Sequence, residues 1–347
     1  MKPDLMNFTL EELKAEMKSN GFQAFRAPQI YSWLMKGVGF DGMTNLSADM
    51  RAKLSEKYSA GTVSLLQTFP SKIDKTKKFL FALGDGNVVE GVFMHQKYGN
   101  TLCISSQVGC AMGCSFCAST IGGLVRDLTA GEMLHMVLLI NAISDDGDRR
   151  GVTNIVIMGS GEPLLNYENV VKFLRLVSAA EGINVSPRNI SISTCGIVPE
   201  IFRLMDEGLP ITLAISLHAH SDDIRSQVMP VNRQFPIKEL LGACVEYTRR
   251  TKRRIVFEYA LIGGVNSSEE DAKALARLLR GMMCHVNLIS LNRVEESLLK
   301  PATKTATTLF LKTLEDAGIS ATTRRSMGGD IEGACGQLRR SFLEKEV

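Results

Sequence analysis

Three cysteines, Cys110, Cys114 and Cys117, are spaced as CxxxCxxC. Thiolates this close together on a loop hold an iron–sulfur cluster or a zinc ion, or else pack as ordinary core residues. Zinc asks for four ligands, ordinarily in CxxC-type pairs. His135 could complete such a set, but it falls in a segment with a helical pattern. A 4Fe-4S cluster held by three cysteines leaves one iron open. That iron can chelate the amino and carboxylate groups of S-adenosylmethionine (SAM), and one electron from the cluster then breaks a carbon–sulfur bond to release a 5′-deoxyadenosyl radical. The cluster reading is favoured because the triplet directly follows an apolar strand pattern, TLCISS.

The elements that must position this loop can be read from the alternation downstream. Six apolar segments, TLCISS, NIVIMG, NISIST, ITLAISL, RIVFEYAL and HVNLIS, alternate with helical patterns near 130–142, 168–180, 198–207, 237–250 and 269–281, and another helix follows near 305–317. Strands alternating with helices imply a parallel sheet with crossover helices, an α/β fold. Six units are fewer than the eight of a closed barrel, so the expectation is an open, partial (β/α)6 barrel. Chemistry in such barrels sits at the C-terminal strand ends. Gly161 and Glu162, Ser193, the run Ser216, Leu217 and His218, and Asn292 all fall at such ends and would converge on one mouth. The stretch from Glu295 to Thr305 reads as a loop.

Upstream, the first ~60 residues read as helices. Thr9 and Glu12 form a capping box, and further helices are expected over Pro28 to Lys36 and Ser47 to Tyr58. Between Gly61 and Ser106 the pattern shifts to short β-type runs, VSLLQTF, KFLFAL and VVEGVFM, with Gly84, Asp85 and Gly86 as a turn. The expected organisation is a helical accessory domain over 1–60, a β-rich connecting segment over 61–100 and the barrel over 101–347. No internal repeat or low-complexity linker interrupts it.

Composition narrows the class. The 347 residues are 45% hydrophobic, enough for a large core. A net charge of +3 from 40 basic and 37 acidic residues does not by itself argue for a nucleic-acid partner. The charge is uneven, however: Arg249, Arg250, Lys252, Arg253 and Arg254 form a basic run, which is either solvated surface or a phosphate-contacting face. The N-terminus lacks an apolar core of signal-peptide type and no apolar run approaches ~20 residues, so a cytoplasmic protein with no membrane segment is expected. In a reducing compartment the eight cysteines read as metal ligands, redox groups or core rather than a disulfide framework. Cys195, Cys244 and Cys284 read as core, as does Trp33 among the N-terminal helices.

The segments CISSQVGCAMGCSFC, MGSGEPLLN, ISISTCGIVP, SLHAH, VNLISLN and MGGDIEGACGQLR, with FRAPQIYSWLMKGV near the N-terminus, resemble the RlmN/Cfr family of radical SAM enzymes, which methylate an adenine ring carbon in RNA. The resemblance runs over nearly the whole chain. It implies a radical SAM partial barrel with 4Fe-4S and SAM as cofactors. Cys110, Cys114 and Cys117 match the cluster ligands, and Gly161 and Glu162 match the pair that contacts the SAM amino group. Ser193, Ser216 to His218 and Asn292 match the other SAM-contacting positions. Cys335 matches the cysteine that becomes S-methylated, Cys103 its disulfide partner and Glu90 the proton acceptor. Without the resemblance, Cys103 would read as a core cysteine, Glu90 as surface and Cys335 as a loop or tail residue.

The implied route is ping-pong. One SAM methylates Cys335. A second gives the radical that removes a hydrogen from that methyl group, and the carbon radical adds to the ring. Glu90 accepts the ring proton, and Cys103 attacks the Cys335 sulfur, leaving the methyl group on the base and a transient disulfide. The resemblance further implies 23S rRNA as substrate, with some members also acting on an adenosine beside the tRNA anticodon, and a reductase such as flavodoxin or ferredoxin as electron donor. Pro163 to Asn166 after Glu162 favours the carbon-2 branch over the carbon-8, antibiotic-resistance branch. Ser160, Cys195 and Arg293 depart from the common pattern. The competing classes are a radical SAM activase or maturase acting on protein, and a non-catalytic iron–sulfur RNA-binding module.

Overall fold

The computed structural model describes residues 2–144, 151–291, 298–324 and 327–331. Its main sheet has ten strands in the order β1-β2-β3-β4-β7-β8-β9-β10-β11-β12. They are β1 (Ser64–Pro70), β2 (Lys77–Ala82), β3 (Val88–Gln96), β4 (Gly99–Ile104), β7 (Asn154–Ile157), β8 (Ile190–Thr194), β9 (Thr212–Ser216), β10 (Ile255–Leu261), β11 (Cys284–Ser290) and β12 (Ala321–Thr323). From β4 onward every pairing is parallel, while β1, β2 and β3 add antiparallel to the β4 edge. A separate hairpin pairs β5 (Gln107–Gly109) with β6 (Leu124–Asp127). The crossovers are α4 (Ala130–Ser144), α5 (Tyr167–Ser178), α6 (Val198–Asp206), α7 (Asp222–Val228), α8 (Ile237–Thr251), α9 (Glu269–Leu278) and α10 (Lys304–Asp316).

Strand alternation explains the layering. Ile155, Ile157, Ile190, Ile192, Leu213, Ile215, Phe257 and Leu288 are all buried on the helix-covered face. Their neighbours on the other face, Asn154, Ser191, Thr212, Ala214, Val256 and Asn287, line a single cavity of about 720 Å³. That face is therefore concave and polar, and the sheet is a partial barrel. All six expected strands are present, as β4 and β7 to β11. The structure adds a seventh parallel strand, β12, whose three residues, Ala321, Thr322 and Thr323, carry no apolar run to mark it. The β-type runs before residue 100 extend the same sheet. Helix α7 was also not expected: it is only about two turns long, with Asp222 and Asp223 at its start.

The N-terminal helices α1 (Leu10–Ser19), α2 (Ala27–Leu34) and α3 (Ala48–Lys57) fold as the sequence indicated. The capping box closes with Thr9 N donating to Glu12 Oε2 at 2.8 Å and Glu12 N to Thr9 Oγ1 at 3.2 Å. Glu12 also pairs with Lys172 on α5 at 3.0 Å, and Gly131 N at the start of α4 donates to Asn7 Oδ1 at 2.7 Å. These bonds, with Leu5 and Met6 fully buried, seat the helices on the barrel. Trp33 is only partly buried; its indole N–H reaches Asn45 Oδ1 at 2.7 Å.

His135 on α4 belongs to this seam. Its Nδ1 accepts from Val63 N at 3.2 Å, and burial pushes its pKa down to about 4. Gly61 makes the approach possible: its φ is +96°, and a Cβ there would lie 2.4 Å from the imidazole. A ring held neutral in the fold stabilises it above the unfolded pKa near 6.5, and that stability is lost as pH falls from there through about 4. At full effect the loss is about 3 kcal/mol. His135→Gln should flatten the decline of urea-unfolding free energy between about pH 6.5 and pH 4; an unchanged decline would rule His135 out as its source.

Candidate active site

The cysteine loop leaves hairpin β5–β6 at a point only glycine allows. Gly109 has φ +80°, and a Cβ on it would sit 2.0 Å from Gly123 O. Cys110 N then donates to Gly123 O at 3.1 Å and Cys117 N to Cys114 O at 3.1 Å, while Ser115 N reaches Val228 O at 3.0 Å at the end of α7. The three thiols line one cavity of about 280 Å³ at the C-terminal ends of the strands. Burial pushes the Cys110 thiol up to about 11 and Cys114 up to about 12, with neighbouring cysteines adding to the effect. At neutral pH these two are therefore neutral thiols, and binding a metal through them would expel their protons.

Glu162 borders the same cavity. Its carboxylate is held from two sides: Oε1 accepts from Leu164 N at 3.0 Å and Oε2 from Cys195 N at 2.8 Å. Its own N–H donates to Gln107 Oε1 at 2.8 Å. Burial raises its pKa, opposed by those hydrogen bonds. Gly161 has φ +107°, and a Cβ would meet Gln107 Cβ at 2.6 Å, so the close passage of these two chains needs glycine. Ser193 at the end of β8 and Ser216 at the end of β9 face each other with hydroxyls 3.4 Å apart. His218 sits at φ +54° with Nδ1 accepting from Ala260 N at 2.9 Å and its ring edge-on to Phe116. Burial pushes its pKa down to about 3, so it is neutral and structural in character.

Five residues singled out in the sequence, Gly161, Glu162, Ser193, Ser216 and His218, thus share the cavity with the three cysteines. Leu217 does not turn its side chain there; it is fully buried in the core, while its N–H donates to Glu258 O at 3.1 Å. Cys103 and Glu90 lie on the inner face of β4 and β3, where Cys103 is opposite Val92. Glu90 pairs with Lys78 Nζ at 3.1 Å, both side chains buried. Burial pushes the Cys103 thiol up to about 11, against the pull of Arg324 and Lys78. Asn292 and Cys335 lie outside the described residues, as does Arg293. The chain leading to Cys335 is described through Ile331. It is tied to the β1–β2 connection by Gly328 N donating to Asp74 Oδ2 at 2.9 Å, and by Ser71 Oγ and Lys72 N donating to Asp330 at 2.6 and 2.7 Å.

The donor set suits a cluster. It is three thiols on one short loop that carries no fourth cysteine or histidine. The thiols line a shared cavity, and His135, the residue considered as a fourth zinc ligand, is engaged with Val63.

Comparison with known proteins agrees. The Radical SAM superfamily model matches residues 104–279, and the Ribosomal RNA large subunit methyltransferase N-terminal domain model matches residues 3–59. A "Probable dual-specificity RNA methyltransferase RlmN" from Clostridium beijerinckii is 52% identical over 344 residues, covering 99% of this chain and 96% of that one. A protein of the same description from Lachnoclostridium phytofermentans is 51% identical over 348 residues, covering 100% and 97%. The crystal structure of a radical SAM methyltransferase from Sphaerobacter thermophilus superposes with a TM-score of 0.93 at 42% identity, covering 96% of this chain and 98% of that one.

This chain belongs to the RlmN family of radical SAM enzymes. Membership brings a 4Fe-4S cluster and SAM as its cofactors, and the cavity is lined by three thiols, carboxylates and hydroxyls of a kind that fits them. Two departures from the RlmN pattern are accommodated locally. Ser160 is buried with its Oγ 3.1 Å from Ser119 Oγ and its N–H donating to Ser105 Oγ at 3.1 Å. Cys195 is buried beside the cavity, its Sγ 3.3 Å from Met112 Sδ.

Arg225 was not foreseen. It is fully buried, and its guanidinium donates to Cys195 O (2.6 Å), Leu217 O (3.1 Å), Ser216 O (3.2 Å), Phe235 O (3.4 Å) and Asn232 Oδ1 (3.1 Å). It ties together the ends of β8 and β9 that border the cavity. The available signal was its place three residues before Val228, on the buried stripe of α7. The basic run proves to be elsewhere than the mouth. It joins the end of α8 to the start of β10, the N-terminal end of the strands, where Arg249 and Arg250 are paired with Glu246 and Asp206, and Arg253 reaches Thr212 Oγ1.

Among the described residues no helix is long and apolar enough to cross a membrane.

Proposed function

We propose that this protein is a radical SAM methyltransferase that places a methyl group on carbon 2 of an adenosine in RNA, acting on the peptidyl-transferase centre of 23S rRNA and also beside the tRNA anticodon, as its 52%-identical relative is described as a dual-specificity RNA methyltransferase. The observation that carries the reading is the placement of Cys103 and Glu90 together on the barrel wall, apart from the cluster loop. An activase acting on protein would need neither, and an RNA-binding module would need neither them nor Glu162. The enzyme works in the reducing cytoplasm and draws electrons from a flavodoxin- or ferredoxin-type reductase.

When bound, the cluster and two equivalents of SAM supply the methyl group, the hydrogen-abstracting radical and the one-electron couple. Cys110, Cys114 and Cys117 hold the cluster, and Glu162, Ser193, Ser216, His218 and Asn292 orient SAM. The Cys335 sulfur carries the methyl carbon to the ring. Carbon 2 of adenine lies between two ring nitrogens and is electron-poor, so it does not attack a methyl donor directly. After the carbon joins the ring, Glu90 takes the ring proton, and the unpaired electron left on the ring is the one the bound group's one-electron couple would take back before release. Cys103 Sγ then attacks Cys335 Sγ; the S–S bond forms, the S–C pair goes to carbon, and that carbon takes a proton to become the methyl group.

Residues 1–60 act as the RNA-gripping domain, residues 61–100 join it to the barrel as added strands of the same sheet that carry Glu90, and residues 101–347 form the rest of the catalytic barrel. Three basic side chains in the first of these stand over aromatic rings, Arg26 over Phe25 at 5.0 Å, Lys36 over Trp33 at 5.1 Å and Lys57 over Phe22 at 5.7 Å, a pairing suited to phosphate and base together. The target base must leave its stack to reach the mouth.

Incubation of the anaerobically reconstituted enzyme with SAM, reductant and unmodified 23S rRNA should yield 2-methyladenosine by nucleoside mass spectrometry, abolished by Cys335→Ala. Appearance of 8-methyladenosine would overturn the carbon-2 assignment, and 5′-deoxyadenosine without a methylated base would overturn RNA as substrate.

A further inference from the structure

The inner wall carries one carboxylate that neither the cysteine loop nor the Cys103–Glu90 pair uses. Glu258 on β10 is level with Ser216 on β9 and Asn287 on β11. It is 4% exposed, yet it borders both the cluster cavity and the larger cavity below. A hydrogen-bonded chain fixes one of its oxygens. Asn287 Nδ2 donates to Glu258 Oε1 at 3.0 Å, and Thr322 Oγ1 donates to Asn287 Oδ1 at 3.1 Å. The Thr322 oxygen is then left to accept from His285 Nε2 at 2.9 Å, and His285 Nδ1 accepts from Ser320 Oγ at 2.8 Å. Because an amide donates only through its nitrogen, the polarity of the chain makes Oε1 an acceptor.

Oε2 is left over. Among the described residues it has no hydrogen-bond partner, and the nearest cation, Arg324 Nη1, is 3.9 Å away. A buried carboxylate oxygen without a donor is costly, and such atoms call for an explanation. The atoms beside it suggest one. The Ser193 and Ser216 hydroxyls, 3.4 Å apart, border the same cavity and can each donate or accept. A carboxylate flanked by serine hydroxyls suits a vicinal diol, whose hydroxyls both donate and accept; a protonated amino group only donates and would leave the serine O–H groups without an acceptor. The thiols and Glu162, which border the same cavity, are suited to the amino-acid end of SAM.

We propose that Glu258 is a SAM-binding residue whose Oε2 accepts a ribose hydroxyl of the cofactor, with the Asn287–Thr322–His285 chain holding the carboxylate in place. This rests on the cavity being the SAM site.

The test is calorimetric binding of S-adenosylhomocysteine and its 2′-deoxy and 3′-deoxy forms to the cluster-loaded protein. The wild type should lose about 10- to 100-fold in affinity when the contacted hydroxyl is removed, the range for a hydrogen bond to a charged group. In Glu258→Gln the Asn287 donor retains the amide oxygen and turns the NH2 toward the cavity. That variant should bind S-adenosylhomocysteine about 10- to 100-fold more weakly and no longer distinguish it from the deoxy form. Equal wild-type affinity for all three compounds would overturn the proposal without relying on any variant to fold. So would a variant that keeps the wild-type discrimination, or one whose only change is a raised KM for RNA, which would assign the carboxylate to the target base. Failure of the wild type to bind S-adenosylhomocysteine at all would instead remove the SAM assignment of the cavity.

Discussion

Cys103→Ala should leave the enzyme covalently joined to its RNA. On the proposed route the ring carbon is already bonded through the methylene to Cys335 when Cys103 is needed, so its loss blocks only release. Multiple turnover should fall at least a thousandfold, while about one equivalent of RNA remains attached through denaturing electrophoresis. Glu90→Gln would also stall an adduct, but one step earlier. RNA deuterated at carbon 2 of the target separates them: the Cys103→Ala adduct should have lost the label and the Glu90→Gln adduct should keep it. An adduct-free Cys103→Ala variant with normal turnover would sink the resolving role.

The wall around Cys103 also sets a pH dependence. Burial raises its thiol to about 11, with Arg324 and then Lys78 pulling it down and Glu90 pushing it up. The attacking species is the thiolate, whose fraction grows about tenfold per pH unit below that pKa. Where resolution limits turnover, the wild-type rate should climb with pH on that slope, and Arg324→Gln, which removes a cation favouring the thiolate, should lower the rate at each pH.

What could be read from the residues depended on whether local pattern or distant packing determined the outcome. The six barrel strands and their helices were legible because each is a run of apolar residues long enough to carry its own period. Strand β12 was not, since Ala321, Thr322 and Thr323 become a strand only by pairing with Val286 to Leu288. That Cys110, Cys114 and Cys117 come together with Gly161 and Glu162 was legible from spacing and position at strand ends, and all five line one cavity. Glu90 was not legible from pattern alone: an acid in a strand reads as surface, and only the fold sets it against Lys78 and near Cys103. The basic run shows the converse, a feature that is plain in the sequence but whose place is not. Its composition left solvated surface and phosphate-contacting face both open, and the fold places it at the far end of the strands, with Arg249 and Arg250 paired to Glu246 and Asp206 and Arg253 bonded to Thr212.

Arg225 shows most clearly why a site of this kind needs the fold to be seen, and its replacement should be costly in two separable ways. Among the described residues its guanidinium forms no ion pair with a carboxylate; four backbone carbonyls and Asn232 Oδ1 neutralise it. Arg225→Met keeps much of the volume and removes every donor, so the carbonyls of Cys195, Ser216 and Leu217 lose a buried partner. Leaving such acceptors unmet should destabilise the fold by about 3–5 kcal/mol, read as a lower urea midpoint at unchanged slope. The second cost is local. Cys195 N holds Glu162, and Ser216 and His218 border the cavity, so slack at these strand ends should raise the KM for SAM by about 10- to 100-fold more than it lowers kcat. Arg225→Lys keeps the charge but cannot span three strand-end carbonyls with one ammonium, so it should recover part of the stability and little of the KM. A lysine variant with wild-type KM would show that charge alone suffices, and a methionine variant within about 1 kcal/mol of wild type would show that the strand ends hold their places without it.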